Sequence, residues 1–339
     1  MGWKRLVTLV AVLGLIALTS DIGKTQSKKP IVRLNYSGSI YATTSVVGVE
    51  KGFFDQEGLI MNATPESAGE IAMQALIGGS TDFAVGANVR PIQALARDLP
   101  VKVVALSSWG FAGYIIVPVK DTVTQSLEEL KGKTIAVRVG SGTHTVWVRY
   151  LKTKGLSEND FTIKNIEAEQ IPAAFEAGGI DGAVVWDPFA TIILEKNLGR
   201  TILKPKDMAE PLRVTYPFFV MTTEDMIKNK RDTVQRFVNA WTRTMHYIHA
   251  NKSEVAHLMQ AFFAREGTKL SKETVKKLLD GTNYDRVIVS QADIDDTMES
   301  AKIQFEQKRL KKLPDLKQHV DNSFAERADK AIKPTTAKR

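Results

Sequence analysis

Cysteine is absent from this chain of 339 residues. That excludes disulfides, thiol catalysis, cysteine-ligated metal centres and a lipid-modified N-terminal cysteine. Histidine is scarce, at five residues. The glycine turns lack the companions that nucleotide motifs need. In "GSGTHTVW" (residues 140–147) no lysine follows the second glycine as a P-loop requires, and Thr145 stands where a dinucleotide fingerprint wants its third glycine. There is no G-x-S-x-G elbow. The basic runs are not interleaved with aromatics, so no nucleic-acid partner is expected. After the N-terminus no apolar run is long enough to span a membrane.

What is present begins with "MGWKR" and "LVTLVAVLGLIALT", two cations and then 14 residues without a charge. The run suits the apolar region of a secretory signal, which predicts a signal peptide over residues 1–20 and a secreted, periplasmic protein that is not a lipoprotein. An uncleaved signal would be its one direct membrane anchor. The net charge of +8 favours anionic ligands, although "KRLKKLPDLK" and "KPTTAKR" concentrate it near the C-terminus. A hydrophobic content of 43% supports substantial cores, and the length predicts two domains.

From "IVRLNY" onward short apolar strands alternate with amphipathic helices, predicting a mainly parallel sheet covered on both faces. The rhythm restarts after Gly110 with "YIIVPV", a helix over "TVTQSLEELKG" and the strand "TIAVRV". From Tyr216 one more strand, "PFFVM", precedes helices that run to about residue 330. In open α/β sheets ligands bind beyond the carboxyl ends of the strands. The turns there are "SGSIY", "SAGE", Asn88, "GSGTHT" and "VVWDPF". In "GSGTHT" a glycine turn at a helix start offers backbone amides and the side chains of Ser141, Thr143 and His144 to an anionic or polar group. His246 and His249 lie one turn apart, but no acidic residue completes a metal set. No metal or cofactor is expected.

"GVEKGFFDQEGL" and "AGEIAMQALIGGSTDFAVGA" resemble the periplasmic substrate-binding proteins of the nitrate, sulfonate and taurine import family. "LKGKTIAVRVGSGTHT" and "AFEAGGIDGAVVWDPF" resemble its second half. The resemblance implies an α/β, two-lobed type II periplasmic-binding-protein fold, with two crossing strands joining the lobes and a ligand cleft between them. Lobe 1 would cover 30–107 and 218–325, lobe 2 would cover 108–217, and 326–339 would be a basic tail. Carried over by position, the ligand contacts would be Ser37, Gly38, Ser39, Tyr41, Gly69, Glu70 and Asn88 in lobe 1. Trp109 and Tyr216 would sit at the hinge, with Ser141, Thr143, His144, Trp186 and Asp187 in lobe 2. The implied partners are a small-molecule ligand and an ABC permease with its ATPase, and the chain is expected to be monomeric. A small organic anion such as a sulfonate is the first expectation. A taurine-like compound or an aromatic acid belongs with that first expectation, a thiamine-precursor pyrimidine or other heteroaromatic is the second, and Tyr41, Trp109, Trp186 and Tyr216 suit any ligand with an apolar or ring portion. Two other classes stay open: a sensor-input binding protein, and an enzyme using His144 and Asp187. The cysteine-rich loop of the pyrimidine synthases in the wider superfamily is missing.

Overall fold

A computed structural model describes residues 29–332; the expected signal over 1–20 lies outside the described residues. The chain opens with β1 (Ile31–Ser37), α1 (Thr43–Glu50), the single turn α2 (Phe53–Gln56) and β2 (Ile60–Glu66). Next come α3 (Gly69–Ile77), β3 (Phe83–Ala87), α4 (Val89–Leu95) and β4 (Val101–Ser108). A crossing leads to β5 (Gly113–Pro118), β6 (Thr134–Val137), α5 (Gly142–Thr153), β7 (Thr162–Asn165) and α6 (Ile171–Glu176). This part closes with β8 (Gly182–Trp186), α7 (Phe189–Glu195), β9 (Gly199–Leu203) and α8 (Pro205–Leu212). The chain crosses back as β10 (Phe218–Thr223), α9 (Glu224–Asn229), α10 (Arg231–Ala250) and α11 (Lys252–Arg265). It finishes with α12 (Lys272–Asp280), α13 (Gln291–Glu306) and α14 (Ser323–Ile332).

The strands form two five-stranded sheets, ordered β2-β1-β3-β10-β4 and β7-β6-β8-β5-β9. In each, four strands run the same way and the one fourth in the order runs against them: β10 is antiparallel to β3 and β4, and β5 to β8 and β9. The two sheets therefore share one plan. Each antiparallel strand is the first to follow a crossing. Helices cover both faces, so β3 ("FAVGA") and β8 ("GAVVW") are almost wholly buried and read as unbroken apolar runs rather than alternating ones.

The crossing segments touch: the Gly110 N–H donates to the Thr215 carbonyl at 2.8 Å, and Trp109 bridges to Asn283. Gly110 has φ +120°, and a Cβ there would lie 3.1 Å from the Gly281 carbonyl oxygen, so only glycine fits the crossing without a shift. One continuous core passes through this junction, from Phe237 and Trp241 under the first sheet, past Tyr41, Phe218 and Phe111, to Val137 and Trp147 under the second. Helix α13, capped by the reciprocal Ser290–Asp293 box, packs on both α4 and α5 and so straddles the two halves.

The structure departs from the sequence reading in four places. The sheets are mixed rather than mainly parallel. The helix expected over 122–132 shrinks to one 3-10 turn at Glu128–Leu130. There Asp121 accepts the amides of Val123 and Thr124 and the Thr124 hydroxyl, local bonds that compete with a helix. β9 and α8 were not foreseen. Residues 326–332, expected to begin a tail, complete α14, which buries Phe324, Ala325 and Ala328 against α10.

Candidate functional site

A cavity holding about 600 Å³ of atom-free space, part of it open to solvent, lies between the two sheets. Strand ends supply its walls: Ser37 ends β1, Ala87 ends β3, Trp186 ends β8, and Arg138 follows β6. The N-termini of α3 and α5 face it from opposite sheets, through Ala68 and Gly69 on one side and Ser141 and Gly142 on the other. Both helices bring uncancelled N–H dipoles to the same space, which favours negative charge.

The hydroxyls are set as donors. Ser39 Oγ accepts the Tyr41 N–H at 3.3 Å, and Ser141 Oγ accepts the His144 N–H at 3.0 Å. Each keeps its own O–H proton for a ligand. The floor is aromatic. Tyr41 stacks on Phe218 with ring centroids 3.7 Å apart, and Tyr216 meets Phe218 edge-on at 5.8 Å. Burial pushes the Tyr216 hydroxyl up to about 12 and raises that of Tyr41 well above its ordinary value, so both stay protonated at neutral pH. Tyr41 spends its proton on the Gly110 carbonyl at 3.0 Å, tying the floor to the crossing. Gly142 is required for close approach: a Cβ there would fall 2.6 Å from the Tyr216 hydroxyl oxygen.

Two guanidinium groups dominate the electrostatics. Arg90, in the first turn of α4, is buried and donates to Gln93 Oε1 at 2.9 Å. Burial pushes its guanidinium below the ordinary arginine value; Glu70 opposes that shift, and the neighbouring Arg138 cation adds to it. Arg138 reaches in from the other sheet, with its Nε 2.8 Å from Glu167 Oε2 and its Nη2 3.4 Å from Glu70 Oε2. Glu167 and Glu169 complete the polar rim. All three carboxylates keep access to water.

Of the residues expected here, Ser37, Ser39, Tyr41, Gly69, Ser141, Trp186 and Tyr216 line the cavity. Gly38 sits between two of them, with its N–H on the Glu66 carbonyl. The structure takes the others elsewhere. Glu70 lies beside the cavity, holding Arg90 and Arg138. Asn88 is buried against α13, with Nδ2 3.4 Å from Ser300 Oγ. Trp109 donates Nε1–H to Asp285 at 2.7 Å beneath the Arg286 guanidinium. Thr143 is buried and hydrogen-bonded to the Tyr216 hydroxyl at 3.3 Å, one step behind the wall.

His144 is fully buried: Nδ1 accepts the Gly140 N–H and Nε2 lies 2.7 Å from Glu158 Oε1, so both ring nitrogens are used. Asp187, the first residue after β8, does not line the cavity that Trp186 lines. It accepts from the Thr191 hydroxyl at 2.7 Å and lines a different groove. His144 and Asp187 therefore do not converge as an acid and base.

The sequence reading passed over Arg90, Arg138, Phe218, Glu167 and Glu169. A signal existed for the two arginines. Arg90 is a cation in the first turn of a helix, where the dipole disfavours it, so it needs another reason to be there. Arg138 directly follows the last apolar residue of a strand.

A family model described as "NMT1/THI5 like" matches residues 39–255. The "Putative aliphatic sulfonates-binding protein" of Bacillus subtilis (strain 168) is 26% identical over 96% of this chain and 96% of its own. The "Taurine-binding periplasmic protein" of Escherichia coli (strain K12) is 31% identical over 56% of each. Among solved structures, the alkanesulfonate-binding protein SsuA from Xanthomonas axonopodis pv. citri, bound to MOPS, superposes with a TM-score of 0.74 at 21% identity. That match covers 86% of this chain and 98% of that one. The fold is thus the two-lobed periplasmic-binding-protein fold.

Proposed function

Because the chain belongs to the NMT1/THI5-like family, we propose that it is the extracytoplasmic solute-binding component of an ABC importer, taking a small organic sulfonate in the interlobe cleft. The observation that carries the reading is the pair Arg90 and Arg138, which line one cavity from opposite sheets. An anion between them touches both lobes at once. That contact exists only in the closed form, so the ligand shifts the population towards closure by its differential affinity. The N-termini of α3 and α5 add N–H donors, and Ser39 and Ser141 add hydroxyl protons, enough for the three oxygens of a sulfonate. The closed, loaded form would then dock on a permease and its ATPase. The related sulfonate- and taurine-binding proteins and the expected signal over 1–20 support export to the periplasm. Residues 30–107 with 218–325, and 108–217, are assigned to the two moving lobes.

The acidic rim narrows the ligand. Arg138 now shares its charge with Glu167 and Glu70. A bare sulfonate displaces a carboxylate partner from it, whereas an aminoalkanesulfonate also brings an ammonium for Glu167 and Glu169. A taurine-type zwitterion fits both ends. Titration calorimetry with taurine, ethanesulfonate, nitrate, benzoate and an aminopyrimidine tests this. Taurine should bind, and Arg138→Gln should weaken it about 10–100-fold, the worth of a charged hydrogen-bonding contact. No sulfonate binding, or an Arg138→Gln variant with wild-type affinity, would sink the assignment.

A further inference from the structure

A second depression abuts the cleft, running between α4, the turn after β6 and the segment that follows α13. Arg90 and Arg138 belong to its wall as well as to the cleft's. Six cations line it, Arg90, Arg97, Arg138, Lys308, Arg309 and Lys311, against only two carboxylates. Both carboxylates are engaged: Glu70 with Arg90 and Arg138, and Glu306 with Lys152. The outer cations are not neutralised in this way. Arg97, Lys308 and Lys311 are exposed, and their side chains have no carboxylate or hydrogen-bond partner among the described residues. Arg309 donates to the Gln307 amide oxygen at 3.1 Å, with Glu158 the carboxylate that feels its charge. Three of the outer cations, Lys308, Arg309 and Lys311, come from the basic run "KRLKKLPDLK".

Paired surface charges largely cancel beyond a few ångströms; unpaired ones around a concave opening add, and their field extends about one Debye length, ~30 Å at 0.01 M salt and ~8 Å at 0.15 M. We propose that this groove is the electrostatic entrance to the cleft. It gathers small anions with Arg97, Lys308, Arg309 and Lys311 and passes them inward to Arg90 and Arg138, which wall both spaces. The proposal rests on the sulfonate reading above. It makes a kinetic claim: the outer cations act on a ligand in transit and leave a bound one untouched, so they govern association and not dissociation.

Stopped-flow tryptophan fluorescence on the full mature chain tests it, with ethanesulfonate (net charge minus one) and taurine (net charge zero) as probes. For the wild type, the ethanesulfonate association rate should fall on the order of tenfold between about 0.01 and 0.15 M salt. The Arg97→Gln/Lys308→Gln/Lys311→Gln variant, which loses no ion pair or side-chain hydrogen bond among the described residues, should lose most of that low-salt advantage. Its dissociation rate and its taurine association rate should match the wild type. Lys308→Glu/Lys311→Glu should slow ethanesulfonate further. Association rates and salt slopes that are equal across the variants, or a change confined to dissociation, would overturn the entrance and leave the sulfonate reading standing. Failure of the wild type to bind either probe would overturn both.

Discussion

Arg149→Met should be the most damaging single change away from the cleft. Arg149, on α5, donates Nη1–H to Asp296 Oδ1 on α13 at 2.6 Å, and the two side chains are 8% and 2% exposed. The other carboxylate oxygen accepts the Tyr216 N–H at 2.9 Å and the Thr215 hydroxyl at 3.5 Å. One buried carboxylate therefore ties the second lobe, the straddling helix and the returning crossing together. Methionine fills much of the arginine's volume but leaves Asp296 charged, dry and held by two neutral donors. Breaking a buried pair in this way costs about 3–5 kcal/mol. Asp296→Asn on top of Arg149→Met removes the stranded charge while keeping an acceptor for Tyr216, so the double variant should be more stable than Arg149→Met alone. Urea unfolding followed by far-UV circular dichroism gives all three values, read at constant m. A loss below about 1 kcal/mol for Arg149→Met, or a double variant no better than the single, would refute the argument. Because Tyr216 lines the cavity, taurine affinity should fall along with stability.

Asp187→Asn should stabilise the protein at neutral pH. Burial pushes the Asp187 carboxyl up to about 6, against the pull of its bonds from Thr191 and Tyr114. A raised acid favours the folded state below its unfolded value near 4, and that favour is lost as pH climbs to 6. Asparagine cannot ionise, so it should gain up to about 3 kcal/mol at pH 7.5 and almost nothing at pH 4. Thermal melts at the two pH values decide it, and a variant less stable than wild type at pH 7.5 would contradict it. Gly142→Ala places a methyl 2.6 Å from the Tyr216 hydroxyl oxygen, so taurine affinity should drop about tenfold as the ring moves. An unchanged Kd would mean that the ring yields without affecting the site.

The sequence was most legible where period and position carry the same message. Alternating strands and helices located most of the elements, and the rule that ligands lie beyond strand ends pointed to Ser37, Ser39, Ser141 and Trp186, which line the cavity. It could not say which way a side chain faces. Trp186 and Asp187 are neighbours on the chain, yet the strand ends between them, and one lines the cavity while the other lines a different groove. His144 looked available from its turn, but its ring is fully buried and claimed by Glu158 and Gly140. Arg90 stands out in the sequence only as a cation in a helix's first turn, and it takes the fold to bury it beside the cavity. The mixed sheets escaped notice because nothing in "YIIVPV" or "PFFVM" records the direction in which a strand is laid between partners distant in the chain.

The placement of β10 has a consequence for the order in which the molecule can be made. Its neighbours β3 and β4 end at Ala87 and Ser108, while β10 itself begins at Phe218. β4 has no other partner in its sheet, so a chain emerging N-terminus first carries an unpaired strand until residue 223 is out. The second sheet needs only residues between Gly113 and Leu203 and is complete earlier. The first lobe therefore starts first and finishes last, by insertion of a late strand into a waiting gap. Tyr216 and Phe218, on the floor of the cavity, arrive with that strand. Capacity to bind thus waits on β10, which ends at Thr223 of 339 residues: a nascent or truncated product that lacks it can fold a lobe but cannot hold a ligand.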